Sequence, residues 1–305
     1  MKKILVTGGC GFIGSHLTDE LIKLGNHVTV LDNLSTGLLD NLNPKAKFIE
    51  GDIRDQSLVL KTMKEIDACF HLAAIVSVDL ANKEPLLTHD VNLTGTLNLY
   101  TVASLQPKKP PIIYASSSAV YGEVSSLPVT EDARTQPISL YGATKLASEL
   151  YGRVSTLVHR VPTIGLRFFN VYGPRQNPNS VYSGVISIFA DKISKNLPIC
   201  IYGDGEQTRD FIYVADVVQF CIRALDRIQL APQVFNVCTN NPTSINSLAS
   251  RIENILKISV KRNHKEKRPG DIVHSYGSPE KANQILAYSA KHGIDDGLKL
   301  LLANA

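Results

Sequence analysis

The feature that most constrains this chain is a cluster of glycines near its start. Residues 4–6 are an apolar run typical of a buried parallel strand, and apolar residues then recur at helical spacing until Gly25. Glycine allows the backbone between such a strand and helix to turn sharply and to approach a pyrophosphate closely. The sequence therefore predicts that the chain opens with the strand, turn and helix of a dinucleotide-binding fold. The glycines of the turn are Gly8, Gly9, Gly11 and Gly14.

An acidic residue after the second predicted strand narrows the choice of dinucleotide. Residues 27–31 form that strand, and Asp32 follows it. A carboxylate there can accept hydrogen bonds from both ribose hydroxyls of an adenosine and would repel a 2′-phosphate, which favours NAD over NADP. Lys45 and Arg54 could instead favour a phosphate, but neither directly follows Asp32. Asp52, after the third predicted strand, could bind an adenine amino group or serve only as a turn acid.

Further apolar runs predict a parallel α/β sheet. Predicted strands at residues 48–49, 68–71 and 112–114 alternate with predicted helices at about 56–65 and 86–105. This alternation indicates a doubly wound fold.

The regular alternation of predicted strands and helices ends after Arg167, where prolines and glycines break the chain into short elements. Ser244 is typical of a helix N-cap before another apolar stripe. We expect a dinucleotide-binding domain at residues 1–174, to which about 206–240 also return, and a smaller α/β substrate-binding region over most of 175–305.

The composition excludes several classes of protein. No window approaches 18 consecutive apolar residues, so we expect no membrane span, and glycines interrupt the first apolar run too early for a signal peptide. Five scattered cysteines without Cys-x-x-Cys spacing argue against a disulfide framework and a thiolate metal site. We therefore expect a cytoplasmic protein without a metal. A net charge of +4 is too small to imply nucleic acid.

One basic segment leaves three interpretations open. Residues 257–268 contain six Lys or Arg and a single acid, Glu266. The segment can be a solvated loop or a patch for a polyanion, or Arg268 alone can bind an anion.

A tyrosine and a lysine four residues apart are candidates for acid–base chemistry. Tyr141 and Lys145 lie in a predicted helix at residues 140–151, and this spacing places them on one face. A neighbouring ammonium favours the phenolate and should lower the pKa of Tyr141, so that the pair can take a proton from a hydroxyl. The spacing alone is common by chance. Three serines at residues 116–118 add weight, because they follow a predicted strand where ligands of parallel sheets bind.

Several motifs occur together along the chain. They are Thr7-Gly8-x-x-Gly11-x-x-Gly14, His71-Leu72-Ala73-Ala74, Ser117, Tyr121-Gly122, Tyr141-x-x-x-Lys145, and the segments 167–175, 202–214 and 268–271. This set resembles the extended short-chain dehydrogenase/reductases, and more closely their nucleotide-sugar 4-epimerases. The resemblance runs from residue 1 to about 288 and implies a Rossmann-type sheet with NAD as cofactor.

The resemblance implies a role for each matching residue. Tyr141 would take the proton from the sugar 4-hydroxyl, Ser117 would hold the 4-oxygen, and Lys145 would bind the nicotinamide ribose. Aligning Tyr121-Gly122 with the motif of the family selects Ser117 rather than Ser118 as the catalytic serine. Because the segment between the serines and Tyr121 is compact, both serines stay open as candidates. The implied cofactor contacts are Gly8, Gly11, Phe12, Ile13, Gly14, Asp32, Asn33, Asp52, Ile53, Leu72, Ala73, Ala74, Tyr141 and Lys145. The implied substrate contacts are Ser117, Ser118, Tyr141, Asn170, Arg209, Arg268, Asp271 and Ser275.

The diphosphate and nucleoside have matching partners among these residues. Arg209 and Arg268 would bind the diphosphate, since a guanidinium donates two hydrogen bonds in one plane. Asn170 can donate its amide to the diphosphate, and Asp271 can accept from the uridine ribose. The alternative for each arginine is a surface salt bridge.

The resemblance thus implies a UDP-hexose 4-epimerase, and it also implies a homodimer formed through two helices of the Rossmann domain, one of which carries Tyr141. A sugar 4,6-dehydratase would carry carboxylates after the fifth strand, whereas this chain has Ser117-Ser118-Ala119. A UDP-glucuronate 4-epimerase or decarboxylase would need a further cation for the sugar carboxylate. A regulatory NAD-binding module that has lost catalysis would lack the complete Ser117, Tyr141 and Lys145 set.

The resemblance also implies a sugar preference. In the family, the residue four positions after the aspartate of Arg-Pro-Gly-Asp lies beside the sugar 2-substituent, and a small residue there admits N-acetyl sugars. That position is Ser275 in this chain. We therefore expect turnover of UDP-GlcNAc and UDP-GalNAc, with or without the plain hexoses; the alternative is an ordinary turn serine.

Overall fold

Strands and helices alternate through residues 1–177, 184–267 and 272–303, which the computed structural model describes. The strands are β1 (Lys3–Thr7), β2 (His27–Asp32), β3 (Lys47–Glu50), β4 (Ala68–His71), β5 (Ile112–Ser117), β6 (Thr163–Phe168), β7 (Asn170–Tyr172), β8 (Ile199–Tyr202), β9 (Thr208–Tyr213), β10 (Gln233–Val237), β11 (Pro242–Ser244), β12 (Arg262–Lys265) and β13 (His274–Ser275). The α-helices are α1 (Phe12–Lys23), α2 (Gln56–Thr62), α3 (Val78–Lys83), α4 (Pro85–His89), α5 (Gly95–Leu105), α6 (Leu140–His159), α7 (Val185–Ser194), α8 (Val214–Asp226), α9 (Ile245–Leu256), α10 (Glu280–Leu286) and α11 (Ile294–Leu302).

The large sheet has seven parallel strands in the order β10-β6-β5-β4-β1-β2-β3. The chain proceeds from β1 to one edge and then returns to β4 on the other side of β1. The strand order therefore reverses between β1 and β4, and ligands of open α/β sheets bind at the carboxyl ends of the strands beside such a reversal. The predicted Rossmann-type doubly wound fold is confirmed.

Helices cover both faces of this sheet because successive strand residues point to opposite sides. Ile4 and Val6 of β1 pack with α1 and α8, whereas Leu5 packs with α2 and α5. All three side chains are at most 1% exposed. The two cores fix β1, and with it the start of the glycine turn, between two layers of helices.

Three predicted elements differ in extent from the structure. The strand predicted at 112–114 continues to Ser117, so that Ser116 and Ser117 belong to β5 itself. The helix predicted at 140–151 continues to His159. The helix predicted at 86–105 is divided into α4 and α5 by a π-helical turn at Asp90–Thr94.

A second, smaller sheet is built around β9. Strand β9 pairs with β11, β13 and β7, while β12 pairs with β8. Helices α7, α9 and α11 contribute to the apolar core of this region. Ser244 caps α9 by accepting a hydrogen bond from the Ser247 amide, as the sequence predicts. The domain boundaries at residues 174 and 206–240 stay predictions.

Among the residues that the structure describes, no helix combines the length and the apolarity needed to cross a bilayer.

Candidate active site

The glycine turn forms a close-fitting cradle between β1 and α1. Gly8 has a φ of +72°, a conformation that favours glycine. A Cβ atom on Gly14 would lie 2.1 Å from the Gly8 carbonyl oxygen, so only glycine allows this approach. Helix α1 begins at Phe12 without a side-chain cap, and its N-terminal amides and positive dipole end suit an anion. The cradle therefore fits the pyrophosphate of a dinucleotide.

Asp32 lies at the end of β2, directly beside this turn. Its carboxylate accepts hydrogen bonds from the backbone amides of Cys10 and Leu34, each at 2.9 Å. The residue is only 7% exposed. A carboxylate offers about four acceptor positions, so the two backbone bonds hold it in place and leave room for hydroxyl donors. This geometry suits the ribose-binding role predicted from the sequence.

Asp52 is occupied by protein partners. Arg54 donates to both of its carboxylate oxygens at 3.0 and 2.9 Å, and Asn33 donates at 2.9 Å. The side-chain hydrogen bond from Arg54 is the largest influence that lowers the Asp52 pKa. Its adenine contact stays a prediction. Asp52 also compensates the charge of Arg54, so Arg54 is not a free cation that would favour the 2′-phosphate of NADP.

Ile53 is another of the expected cofactor contacts. Its side chain is 4% exposed and packs against Gly95.

The segment after β4 packs against the glycine turn. The Leu72 amide donates to the Thr7 carbonyl at 3.1 Å, and the Ala73 amide lies 3.3 Å from the Thr7 hydroxyl. A Cβ on Gly8 would lie 2.7 Å from the Ala73 nitrogen. Leu72 and Ala73 therefore approach the cradle through their backbone.

His71 connects the cradle to the helix behind it. Its Nδ1 lies 2.8 Å from the Thr7 hydroxyl, and its Nε2 lies 2.8 Å from the Thr96 hydroxyl. Burial, assisted by the charge of Lys145, lowers the His71 pKa to about 3. The imidazole is therefore neutral near pH 7 and serves as a fixed hydrogen-bonding link.

Tyr141, Ser117 and Lys145 come together where β5 ends and α6 begins. The Ser117 side chain lies close enough to the Tyr141 hydroxyl to favour the phenolate and so to lower the Tyr141 pKa. The Lys145 ammonium donates to the Ala115 carbonyl at 3.0 Å and lies 5.8 Å from the centre of the Tyr141 ring. Ser139 caps α6 by accepting from the Gly142 amide at 3.1 Å. The helix N-terminus is therefore fixed beside the strand end.

The electrostatics correct one expectation. Burial raises the Tyr141 pKa above its usual value, and the hydrogen bond with Ser117 opposes this shift. The net direction is therefore opposite to the predicted lowering, and the Lys145 ammonium itself donates to the Ala115 carbonyl. Burial also lowers the Lys145 pKa to about 8. The Ser117 side chain favours the phenolate against the effect of burial.

The three serines of residues 116–118 have different partners. Ser117 lowers the Tyr141 pKa, and its hydroxyl accepts from the Ala119 amide at 3.2 Å. Ser116 donates to Glu149 at 2.5 Å and is 2% exposed. Ser118 begins a short 3₁₀ turn, Ser118–Val120. The geometry favours Ser117 as the serine that meets a reacting oxygen.

Three of the expected substrate contacts lie on strands of the smaller sheet. Ser275 on β13 is the register partner of Arg209 on β9. Asn170 on β7 is the partner of Phe211, two residues further along β9. Arg209 donates to the Thr208 carbonyl at 2.9 Å. Arg268 and Asp271 lie outside the described residues.

Asn92 in the π turn is a residue that the sequence did not single out. Its side-chain oxygen accepts from the Ile75 amide at 2.7 Å, and its amide nitrogen donates to the Ile75 carbonyl at 2.9 Å and to the Thr144 hydroxyl at 3.2 Å. Asn92 thus ties the loop after β4 to the helix that carries Tyr141 and Lys145. The signal available in the sequence was an asparagine within the apolar pattern of the predicted helix.

Within the described residues, no three His, Cys, Asp or Glu side chains are grouped so that they could hold a metal ion.

Comparison with known proteins places this geometry in a family. The profile of the NAD dependent epimerase/dehydratase family matches residues 4–238. The chain is 36% identical to the UDP-glucose 4-epimerase of Thermotoga maritima, solved with UDP-glucose, with a TM-score of 0.94 over 99% of this chain and 97% of that one.

Two further solved structures extend the comparison to other sugars. A UDP-N-acetylglucosamine 4-epimerase from Methanobrevibacter ruminantium, in complex with UDP-N-acetylmuramic acid, is 35% identical with a TM-score of 0.94 over 99% of this chain and 97% of that one. A UDP-glucuronic acid 4-epimerase from Bacillus cereus, with UDP-glucuronic acid and NAD, is 32% identical with a TM-score of 0.91 over 99% and 98%.

Proposed function

The chain belongs to the NAD dependent epimerase/dehydratase family, and we propose that it interconverts UDP-sugars by inverting carbon 4. The protein is an isomerase of the nucleotide-sugar 4-epimerase group, and NAD is its cofactor. The observation that carries the proposal is the pairing of Tyr141 at the start of α6 with Ser117 at the carboxyl end of β5, whose side chain lowers the Tyr141 pKa.

Each residue of this pair has a proposed part in the reaction. Tyr141 takes the proton from the sugar 4-hydroxyl and later returns it, and Ser117 holds the 4-oxygen in line with the phenol. Lys145 donates to the nicotinamide ribose. NAD, when bound, supplies the reversible oxidation at carbon 4. The 4-keto sugar turns about its diphosphate link between the two proton transfers, which exposes its opposite face.

The smaller sheet is proposed to bind the nucleotide part of the substrate. Arg209 and Arg268 hold the diphosphate, Asn170 donates to it, and Asp271 accepts from the uridine ribose. The NAD-binding domain is proposed to comprise residues 1–174 with about 206–240, and the UDP-sugar-binding region most of 175–305. Asn170 and Arg209 fall within the first of these ranges but lie on strands of the smaller sheet, on the side of the substrate. Ser118 contributes a second hydroxyl beside the sugar.

The sugar proposed is N-acetylated. Ser275 is small, half-buried and opposite Arg209, so an acetamido group meets little steric resistance at this point. The similarity to an enzyme named for UDP-N-acetylglucosamine supports this preference. A UDP-glucuronate 4-epimerase is the second candidate, because enzymes of that name also align over nearly the whole chain.

The test is product analysis with separate UDP-sugars. Purified enzyme is incubated with UDP-glucose, UDP-GlcNAc and UDP-glucuronate, and the 4-epimers are separated and quantified. The proposal predicts UDP-GalNAc from UDP-GlcNAc. Turnover of UDP-glucuronate alone would select the second candidate, and loss of water from the sugar would indicate a dehydratase.

The protein is further proposed to act as a homodimer. One face of α6 is apolar yet exposed in the monomer, through Leu150, Tyr151, Val154, Leu157 and Val158. Such a face on an otherwise polar helix is typical of a subunit interface. Leu157→Glu should convert the dimer to a monomer, as measured by light scattering after gel filtration.

The free thiols of all five cysteines support a reducing compartment such as the cytoplasm.

A further inference from the structure

A buried row of polar side chains crosses the large sheet beside the candidate active site. Ser116, Arg167 and Asn236 are register partners on the adjacent strands β5, β6 and β10. Their exposed fractions are 2%, 4% and 0%. Burial of polar and charged groups costs free energy unless hydrogen bonds compensate it. The partners of this row therefore indicate what it does.

One end of the row is tied to α6 through Glu149. Arg167 donates to the two carboxylate oxygens of Glu149 at 2.9 and 2.7 Å, and Ser116 donates to the same carboxylate at 2.5 Å. None of these side chains is among the buried polar atoms without a partner in the described part of the chain. The connection between β5, β6 and α6 is thus fully hydrogen-bonded.

The other end of the row reaches the segment next to Ser275. Arg167 donates to the Tyr121 hydroxyl at 2.8 Å, and that hydroxyl donates to Asn236 at 2.6 Å. Asn236 donates in turn to the carbonyl of Val129 at 3.0 Å. Val129 forms an isolated parallel bridge with Gly277. One connected network therefore spans from the catalytic helix to the loop after β13.

The positions of Glu149 and Ser116 relative to the candidate catalytic residues are the central observation. Glu149 follows Lys145 by four residues and Tyr141 by eight, so the three occupy successive turns on one side of α6. Ser116 directly precedes Ser117 on β5. We propose that Glu149 and Arg167 are positioning residues, which hold α6 against β5 so that Tyr141 meets Ser117. This inference rests on the proposed epimerase function.

Stability alone does not explain a buried ion pair of this kind. Apolar residues of similar volume often give an equally stable fold, because they avoid the desolvation of two charges. Apolar contacts, however, do not fix how far a helix rotates or slides along a strand, whereas directional hydrogen bonds do. Proton transfer between Tyr141 and a sugar hydroxyl depends on such positions, since misplacement by about 1 Å can cost about 10²-fold in rate.

The test separates position from stability. The double variant Glu149→Leu with Arg167→Met removes both charges together and leaves neither buried alone. We expect its thermal midpoint to stay close to that of the wild type while kcat for the UDP-sugar falls by about 10- to 100-fold. The KM should change by less than about threefold, because the residues that contact the nucleotide are untouched. Ser116→Ala removes only the link from β5 and should lower kcat by a smaller factor.

A second ion pair provides the matched control. Arg262 on β12 pairs with Glu253 on α9, away from β5 and α6. The variant Glu253→Leu with Arg262→Met should leave kcat and KM unchanged.

A pH profile distinguishes a shifted Tyr141 from a general loss of folding. The hydrogen bond with Ser117 lowers the Tyr141 pKa, so weakening that bond should raise it. The rising limb of the kcat/KM profile should therefore move to higher pH in the double variant and in Ser116→Ala. A structural role alone would lower the amount of folded enzyme without moving this limb.

The outcomes separate this inference from the proposed function. Wild-type enzyme without epimerase activity on any UDP-sugar would contradict the proposed function and, with it, the inference. An active wild type with normal kcat and an unmoved pH limb in both variants would contradict the inference alone. If the double variant does not fold, Ser116→Ala tests the inference through its kcat and through the position of the rising limb of its kcat/KM profile.

Discussion

At the scale of single residues, the proposed chemistry depends on a phenol whose surroundings oppose its ionisation. Burial raises the Tyr141 pKa, and the hydrogen bond with Ser117 works in the other direction. As a proton acceptor the phenol must be ionised, so activity should rise with pH through the Tyr141 pKa. Lys145, whose own pKa burial lowers to about 8, loses its charge at lower pH than the phenol.

The first prediction concerns this phenol. Tyr141→Phe should retain the fold and UDP-sugar binding but lower kcat by about 10²- to 10⁴-fold, because it removes the group that accepts the proton. Product quantified in samples quenched at timed intervals gives kcat, and titration calorimetry gives the affinity for the UDP-sugar. Tyr151→Phe keeps the aromatic ring that contributes to the proposed subunit interface and removes only a hydroxyl from the same helix, so it serves as the control. Near-normal kcat in Tyr141→Phe would mean that another group takes the proton.

Asp32 carries the second prediction. The wild type should bind NAD in preference to NADP, since a carboxylate beside the ribose repels a 2′-phosphate. Asp32→Ala should reduce this preference, which titration with both dinucleotides measures. Because the Arg54 charge is compensated by Asp52, Arg54→Ala should leave the preference unchanged. Equal affinity of the unmutated protein for both dinucleotides would contradict the role of Asp32.

Ser275 carries the third prediction. Ser275→Tyr should suppress turnover of UDP-GlcNAc and spare UDP-glucose, because overfilling a packed site excludes the larger 2-substituent. The ratio of the two kcat/KM values is the measurement. A wild type that converts only the plain hexoses would contradict this reading of Ser275 and leave the 4-epimerase proposal standing.

At the scale of elements, a neutral histidine links β1, β4 and the helix α5. His71 bonds to Thr7 on β1 and to Thr96 on α5, and burial lowers its pKa from 6.5 to about 3. Between these two values the unfolded chain binds a proton that the folded chain does not. The free energy of unfolding should therefore fall as the pH drops below about 6.5 towards 3.

The fourth prediction follows from this linkage. His71→Asn should flatten the dependence of stability on pH between about 6.5 and 3, even though it lowers stability at neutral pH. Urea denaturation at a series of pH values measures both quantities. Parallel curves for the wild type and the variant would show that His71 does not contribute to acid sensitivity.

The sequence predicts most elements of the large sheet but not their finest details. Short apolar runs and helical stripes are local signals, and they locate β1 to β5 and α1 directly. The π turn at Asp90–Thr94 depends on tertiary contacts of Asn92 with Ile75 and Thr144, which no local pattern contains. The link between Glu149 and Arg167 likewise requires the pairing register of the sheet.

In the candidate site, too, features set by the local sequence could be predicted, whereas features set by tertiary contacts could not. The glycine spacing and the position of Asp32 follow from local chain geometry, so the sequence identifies them. The direction of the Tyr141 pKa shift depends on burial and on where the Lys145 ammonium points, and spacing alone led to the opposite expectation.

At the scale of the whole molecule, the seven-stranded sheet and the four-stranded sheet around β9 have separate parts in the proposed function. The large sheet presents the glycine cradle, Asp32 and Tyr141 at the carboxyl ends of its strands. The smaller sheet presents Arg209 and Ser275 on adjacent strands. A reaction that oxidises and then reduces the same carbon needs both parts to enclose one substrate until the sugar has turned. The cofactor should therefore end each cycle in the state in which it began.

The balance between product and NADH tests this central claim most directly. Enzyme loaded with NAD and freed of excess cofactor is mixed with UDP-GlcNAc and, separately, with UDP-glucose, while absorbance at the NADH band and the amount of 4-epimer are followed in the same reaction. We predict many turnovers per enzyme with at least one sugar, and no more than one equivalent of NADH per site at any time. NADH that accumulates on addition of NAD in proportion to the sugar consumed would contradict the account and indicate a dehydrogenase.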